Sequence, residues 1–283
     1  MNLIEVLNLT LLFKNIWLLI KSFLRAFSDF WSGIKGVSFF WGDIVGSELF
    51  FVLCQDPTFY SHEKANEAAE SQEELPGEQV AIITEGAFES YIRIISFLSE
   101  NFHFRAKPEN VRYRDFAQQE GREKHWVFIG RGNGNIATAK ICHAIKRLEY
   151  HFWDPVDPWK EGDRRIKNRN GEVIPQWSRV WDSNSRRDVI DRAMVVKAEN
   201  PFCPGKKVLI IAGAHAHGTV AAVKFLTDPK CLNELRKEFK KRGVDWKKDF
   251  QFFIEQTLQP EDKEYFSIEN PKLIKDSVRN LGE

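Results

Sequence analysis

The chain has 283 residues, of which 41 are basic and 40 acidic, giving a net charge of +1. That length can bury one large core, or one core with a small appendage, and the balanced charge supplies no global field to draw the protein to nucleic acid or an acidic membrane. Four cysteines (Cys54, Cys142, Cys203, Cys231) lie far apart with no CxxC pair, which reads as reduced thiols of a cytoplasmic protein and not as a disulfide frame.

Residues 2–32 read as an amphipathic helix. Asn8, Asn15, Ser22 and Asp29 recur every seven positions and make a narrow polar stripe, while Leu12, Ile16, Phe23, Phe27, Phe30 and Trp31 belong to a wide apolar face. Such a face packs on its own domain, on a twin subunit or partner protein, or in the plane of a membrane surface with its basic residues at the rim. Glu5, Lys14, Lys21, Arg25, Asp29 and Lys35 interrupt the stretch, which excludes a membrane span, and it lacks the basic start and cleavage site of a signal peptide. Gly33, Gly36, Gly42 and Gly46 then break the helical pattern, so residues 1–46 are expected to form a helical segment ahead of a domain at 47–283.

Residues 48–55 form the first expected strand, ending at Asp56-Pro57, and residues 61–79 form a polar, acidic loop. Residues 85–101 are periodic with a helix, with Phe88, Tyr91, Ile92, Ile95, Phe97 and Leu98 assigned to the core. A strand at 125–130 leads into a Gly/Asn loop and a helix running to about 152. The Asn170-Gly171 pair marks a two-stranded ribbon inserted at about 157–187. Strands at 191–198 and 207–211, helices at 219–227 and 231–242, and a strand at 250–257 complete the series. Alternating strands and helices predict a Rossmann-like α/β domain: three layers around a mostly parallel sheet, with antiparallel strands added at an edge.

Two turns carry the functional signal. In the first, a strand ends at Ile129, and Gly130, Gly132 and Gly134 alternate with Asn133 and Asn135 ahead of Thr138. Glycines let a ligand approach main-chain N–H groups, and the start of the next helix favours anions. The spacing is neither GxGxxG nor GxxxxGK[ST], so it earns no dinucleotide or ATPase label, and no cofactor is named. In the second, a strand leads into Ala212-Gly213-Ala214-His215-Ala216-His217-Gly218-Thr219. On an extended segment His215 and His217 would point the same way, as in HxH metal sites, but the chain has no third ligand motif downstream and no metal is expected. Hydrogen bonding by these histidines to a ligand, with Thr219 as cap or as a contact to phosphate or ribose, is the fuller expectation. Two parallel neighbours would bring both turns to one carboxyl edge of the sheet. For catalysis the candidates are Glu85, near the start of the first long helix, and His215.

Three stretches carry a resemblance to a known family: Gly130 to Asn135 with Thr138, Asn200-Pro201-Phe202, and Ala212 to Ala222. They resemble a bacterial family with a Gly-Gly-Pro-x-x-Asn-x-x-Thr turn, an Asn-Pro-Phe turn and an Ala-Gly-x-His-x-x-Gly-Thr-x-Ala-Ala motif. Arg131-Gly132 replaces Gly-Pro in the first, and the likeness spans roughly residues 47–257. It implies a Rossmann-like domain, often fused to signalling or defence modules, that senses a nucleotide-like ligand. Two alternatives remain: an enzyme cleaving a glycosidic or phosphate bond of a nucleotide, and a membrane-surface effector acting through residues 1–46.

Overall fold

Runs of β-branched and aromatic residues form the centre of the sheet, and their two faces take different partners. The computed structural model describes residues 21–22, 33–45, 49–53, 85–105, 111–112, 124–130, 136–145, 147–151, 166–174, 180–182, 187–261, 264–267 and 270–282. Among them, β1 (Leu49–Leu53), β2 (Val111–Arg112), β3 (His125–Ile129) and β8 (Lys207–Gly213) are joined by parallel pairing in the order β2-β1-β3-β8. The sheet continues antiparallel through β7 (Arg187–Glu199) to β9 (Phe250–Glu261), which pairs with β10 (Glu264–Ser267) and β11 (Lys272–Asn280). A short β6 (Val180–Asp182) pairs with the start of β7.

The result is a mixed α/β sheet of nine strands, with its antiparallel part larger and more central than a mostly parallel expectation allows. The reason is local. Asn200 to Lys206 joins β7 to β8 by a tight turn, with Asn200 N–H donating to the Lys206 carbonyl at 2.7 Å and Gly205 at φ 83°. A parallel return would need a crossover of a dozen residues or more.

Strand alternation splits the core. Leu49, Phe51, Val127, Ile129, Leu209, Ile211, Val195 and Phe252 face one side, where the helices 33–41 (α1), Glu85–Phe102 (α2), Ala216–Leu226 (α4) and Pro229–Arg242 (α5) pack. Phe50, Val52, Trp126, Phe128, Ile210, Met194 and Phe253 face the other, against α3 (Ile136–Ala144). Asp228 caps α5 by accepting from Lys230 N–H at 2.7 Å, Pro229 opens it, and Gly243 at φ 67° closes it.

Several expectations shift. Residues 33–45 belong to the core: Phe40, Trp41 and Ile44 are buried to 1% exposure or less. Gly33 and Gly36, expected as breakers, instead admit a neighbour, since a Cβ on Gly36 would stand 2.7 Å from Asn233 N of α5; Gly42 follows the end of the helix, and Gly46 lies outside the described residues. The fully buried Lys197 binds the end of α1, donating to the Phe40 carbonyl at 2.7 Å and to Asp43. Trp41 Nε1 donates to the Leu226 carbonyl at 2.8 Å, closing the end of α4. The helical reading of 2–32 falls almost wholly outside the described residues.

In α2, Phe88 and Ile92 are exposed, while Ala87, Ser90, Ile94, Phe97 and Leu98 are buried. The helix starts against α4, with a Cβ on Gly86 only 3.0 Å from Ala216 Cβ, and its small residues take the inner face. Helix α3 ends at Ala144, short of the expected 152. Gln251 takes over the backbone there, accepting from Glu149 and Tyr150 N–H at 3.2 Å and donating to the Tyr150 carbonyl at 2.7 Å. This frees Tyr150–His151 to form β4, paired with β5 (Lys167–Asn168). The ribbon is a short hairpin over 166–174, in which Ile174 N–H donates to Ile166 O and Gly171 takes φ 82°.

Candidate functional site

Both glycine-bearing turns lie at the carboxyl edge of the parallel strands. β3 and β8 are neighbours in register, Ile129 opposite Ile211, and Gly130 N–H donates to the Ile211 carbonyl at 2.9 Å. β1 ends at the same level, with Leu53 opposite Ile129. Helices α2, α3 and α4 run from the strand ends back along the sheet. The helices after β1 and β8 lie on one face and the helix after β3 on the other. The turn after β3 therefore stands where the chain switches faces, which in open α/β sheets leaves a crevice.

The two antiparallel strands overshoot this edge. Ala193 of β7 is level with Gly213, and six further residues of β7, back to Arg187, extend roughly 20 Å beyond it. β7 and β9 part after Ile190 and Thr257, and each then pairs with its own partner, β6 and β10. Two ribbons thus project past the edge beside β8.

This overshoot delivers a side chain that sequence reasoning missed. Asp191 of β7 is 1% exposed and lies over the first turn of α4. Its Oδ1 accepts from Arg192 N–H at 2.8 Å and His215 N–H at 3.2 Å, and its Oδ2 accepts from Gly218 N–H at 2.5 Å. The carboxylate holds the place an anion takes at a helix N-terminus. The signal available in sequence was the Asp191-Arg192 pair directly ahead of the apolar run Ala193 to Val196. Arg192 points to the opposite face and pairs across the strands with Glu255 at 3.3 Å, while burial lowers its pKa.

The rest of the second turn is also engaged internally. Thr219 Oγ1 accepts from Gly213 N–H at 3.0 Å, and Ala214 N–H donates to the Arg192 carbonyl at 2.7 Å. Thr219 thus neither caps the helix nor faces outward; His215 holds the N-cap position without a side-chain cap bond. A Cβ on Gly213 would overlap His215 O and Thr219 N, and one on Gly218 would stand 2.6 Å from Arg192 O. These glycines serve the contact of backbone with backbone.

His215 is extended, whereas His217 is already helical, so the shared direction assumed for an HxH pair is lost. Among the described residues no group of three His, Cys, Asp or Glu side chains is placed to hold a metal. His217 is half-buried, and burial and Lys224 lower its pKa against the opposing effect of Glu89. Glu85 opens α2 beside Ala216, but its side chain lies outside the described residues.

Of the first turn, Gly130 is buried with φ 109°, a value glycine tolerates best, and Thr138 is fully buried in the first turn of α3. Gly132, Asn133, Gly134 and Asn135 lie outside the described residues. The surroundings of this turn differ from those of the second, since β1 and β8 both run parallel to β3, with Leu53 level with Ile129 and β8 reaching only two residues further. No helix among the described residues is long and apolar enough to cross a membrane.

The architecture is that of a mixed α/β protein with helices on both faces of its sheet. No family model, curated protein or solved structure matches the chain.

Proposed function

We infer that the protein is a Rossmann-like sensor of a small anionic, nucleotide-derived ligand, held at the carboxyl edge and centred on the turn from Gly130 to Thr138. One observation carries this reading: the turn leaves β3 between two parallel strands whose helices lie on the opposite face. The second turn contributes support and field rather than amides, because Asp191 already accepts from two of its N–H groups. A role in bacterial signalling or defence rests on the sequence resemblance and belongs to the same proposal. The test is thermal unfolding of the full chain with NAD, ADP-ribose, ATP and cyclic dinucleotides. We expect one of them to raise the midpoint and the double change Asn133→Ala with Asn135→Ala to abolish the rise; no shift with any would remove the reading.

Cleavage of a glycosidic or phosphate bond is the second reading. It is favoured by the contact of Gly86 with Ala216, which brings the start of α2, and with it the Glu85 backbone, to the same edge. Glu85→Gln would then stop product formation, monitored by chromatography, without removing the ligand-induced shift.

A further inference from the structure

The whole chain is nearly neutral, but its charge is unevenly spread. Between residues 236 and 248 there are seven basic residues and two acidic ones. Lys237, Lys240 and Lys241 occupy the exposed side of α5, and Lys247 and Lys248 are exposed in the loop after it. Within this cluster stands Trp246, 36% exposed, one of the few large apolar side chains on the described surface. It rests on Phe39 with ring centroids 5.5 Å apart, and the Lys247 ammonium lies 5.8 Å from its ring. The two acids of the stretch are engaged within it, and Arg242 is the base they and a neighbour offset most. Glu238 pairs with Arg242, which also holds Asp276, and Asp245 accepts from Lys247 N–H within its own turn. With Arg242 set aside as paired, Lys237, Lys240, Lys241, Lys247 and Lys248 remain exposed against Asp245 and Asp276, and an exposed indole beside such an excess of bases matches an interface with a hydrocarbon boundary below and anions around it.

We propose that the outer face of α5 and the loop carrying Trp246 dock on an anionic phospholipid surface. Trp246 seats at the headgroup boundary, and Lys237, Lys240, Lys241 and Lys247 face the acidic headgroups. The same helix receives the N-terminal stretch, since Gly33 packs against Pro229 in its first turn. The apolar sequence of residues 2–32 leads into Gly33 at the end of that helix opposite Trp246, and stable membrane attachment takes two such signals.

The test is co-sedimentation of the full chain with phosphatidylcholine vesicles, with and without about 30% phosphatidylserine. Binding is expected only to the acidic vesicles and is expected to fall away in about 0.5 M salt. Removing two charges by Lys240→Ala with Lys241→Ala should weaken it roughly thirtyfold, and Trp246→Ala should weaken it independently. Lys240 and Lys241 are exposed, so circular dichroism should show an unchanged fold for that pair, and the same measurement separates lost docking from lost packing on Phe39 for Trp246→Ala. Unchanged binding in these variants would overturn the proposal by assigning attachment to residues 2–32. Equal binding to neutral vesicles, or displacement of the vesicles by double-stranded nucleic acid, would overturn it as well. The nucleotide screen is independent of all these outcomes.

Discussion

The turns after β3 and β8 read alike in sequence, yet the structure treats them differently. Each succeeds a buried apolar strand, carries glycines and opens a helix. The turn after β8 is closed by Asp191, reaching over from an antiparallel neighbour that starts well beyond the edge. The turn after β3 has parallel neighbours on both sides: Leu53 of β1 is level with Ile129, and β8 runs only two residues further, to Gly213. The direction of the next strand decides whether a neighbouring strand carries a side chain over the helix N-terminus, as β7 carries Asp191 over α4. Motif spacing does not carry that information.

The contrast can be broken, beginning with its largest consequence. Gly213→Ala should cost about 4 kcal/mol or more, or prevent folding, because its Cβ would overlap the backbone at His215 O and Thr219 N and crowd Thr219 Oγ1; chemical denaturation measures it. Asp191→Ala should cost about 3 kcal/mol by leaving the His215 and Gly218 amides without their acceptor. Asp191→Asn should cost less, since one acceptor oxygen survives. If Asp191→Ala were neutral, the second turn would not be self-filled and the contrast would fail. Thr219→Val should cost about 1–2 kcal/mol through the Gly213 amide, with Thr219→Ser close to wild type.

The smallest effect is electrostatic. Burial and, after it, the neighbouring Lys206 lower the pKa of His125, whose Nδ1 accepts from Lys207 N–H at 2.9 Å. His217 is lowered too, chiefly by burial. The unfolded chain therefore binds more protons than the folded one below the ordinary histidine value of about 6.5. Stability should be full above that pH and decline as the pH falls towards the lowered folded-state values. His125→Asn should flatten the decline, and urea titrations from pH 5 to 8 would show it.

The elements whose burial pattern is local were legible. β1, β3, β7, β8 and β9, together with α2, α4 and α5, fall close to where periodicity put them. The meeting of the two turns at one edge was legible as well, as a consequence of strand order. What escaped depended on partners distant in sequence. Gln251 ends α3 by taking the amides of Glu149 and Tyr150, and Gly36 is needed only because α5 lies against it. Phe88 and Ile92 satisfied helical periodicity but face outward, because the small residues of α2 seat it on α4. Asp191 looked like the start of a strand until β7 proved to run antiparallel past the edge.

The anchoring of α1 has a consequence for how the chain is made. Trp41 closes the end of α4 from 185 positions upstream, and Phe40 receives Lys197 from 157 positions upstream. At roughly 5–20 residues per second, Trp41 waits on the order of 10 to 40 s after synthesis for the carbonyl it will bind. Over that interval two large aromatic side chains have no final partner, so the emerging chain is at its most prone to aggregate before β7 and α4 exist. A chain begun at residue 47 would avoid the wait but leave the Lys197 ammonium facing an empty aromatic pocket. The first helix of the described core to be synthesised waits for partners 157 residues or more downstream.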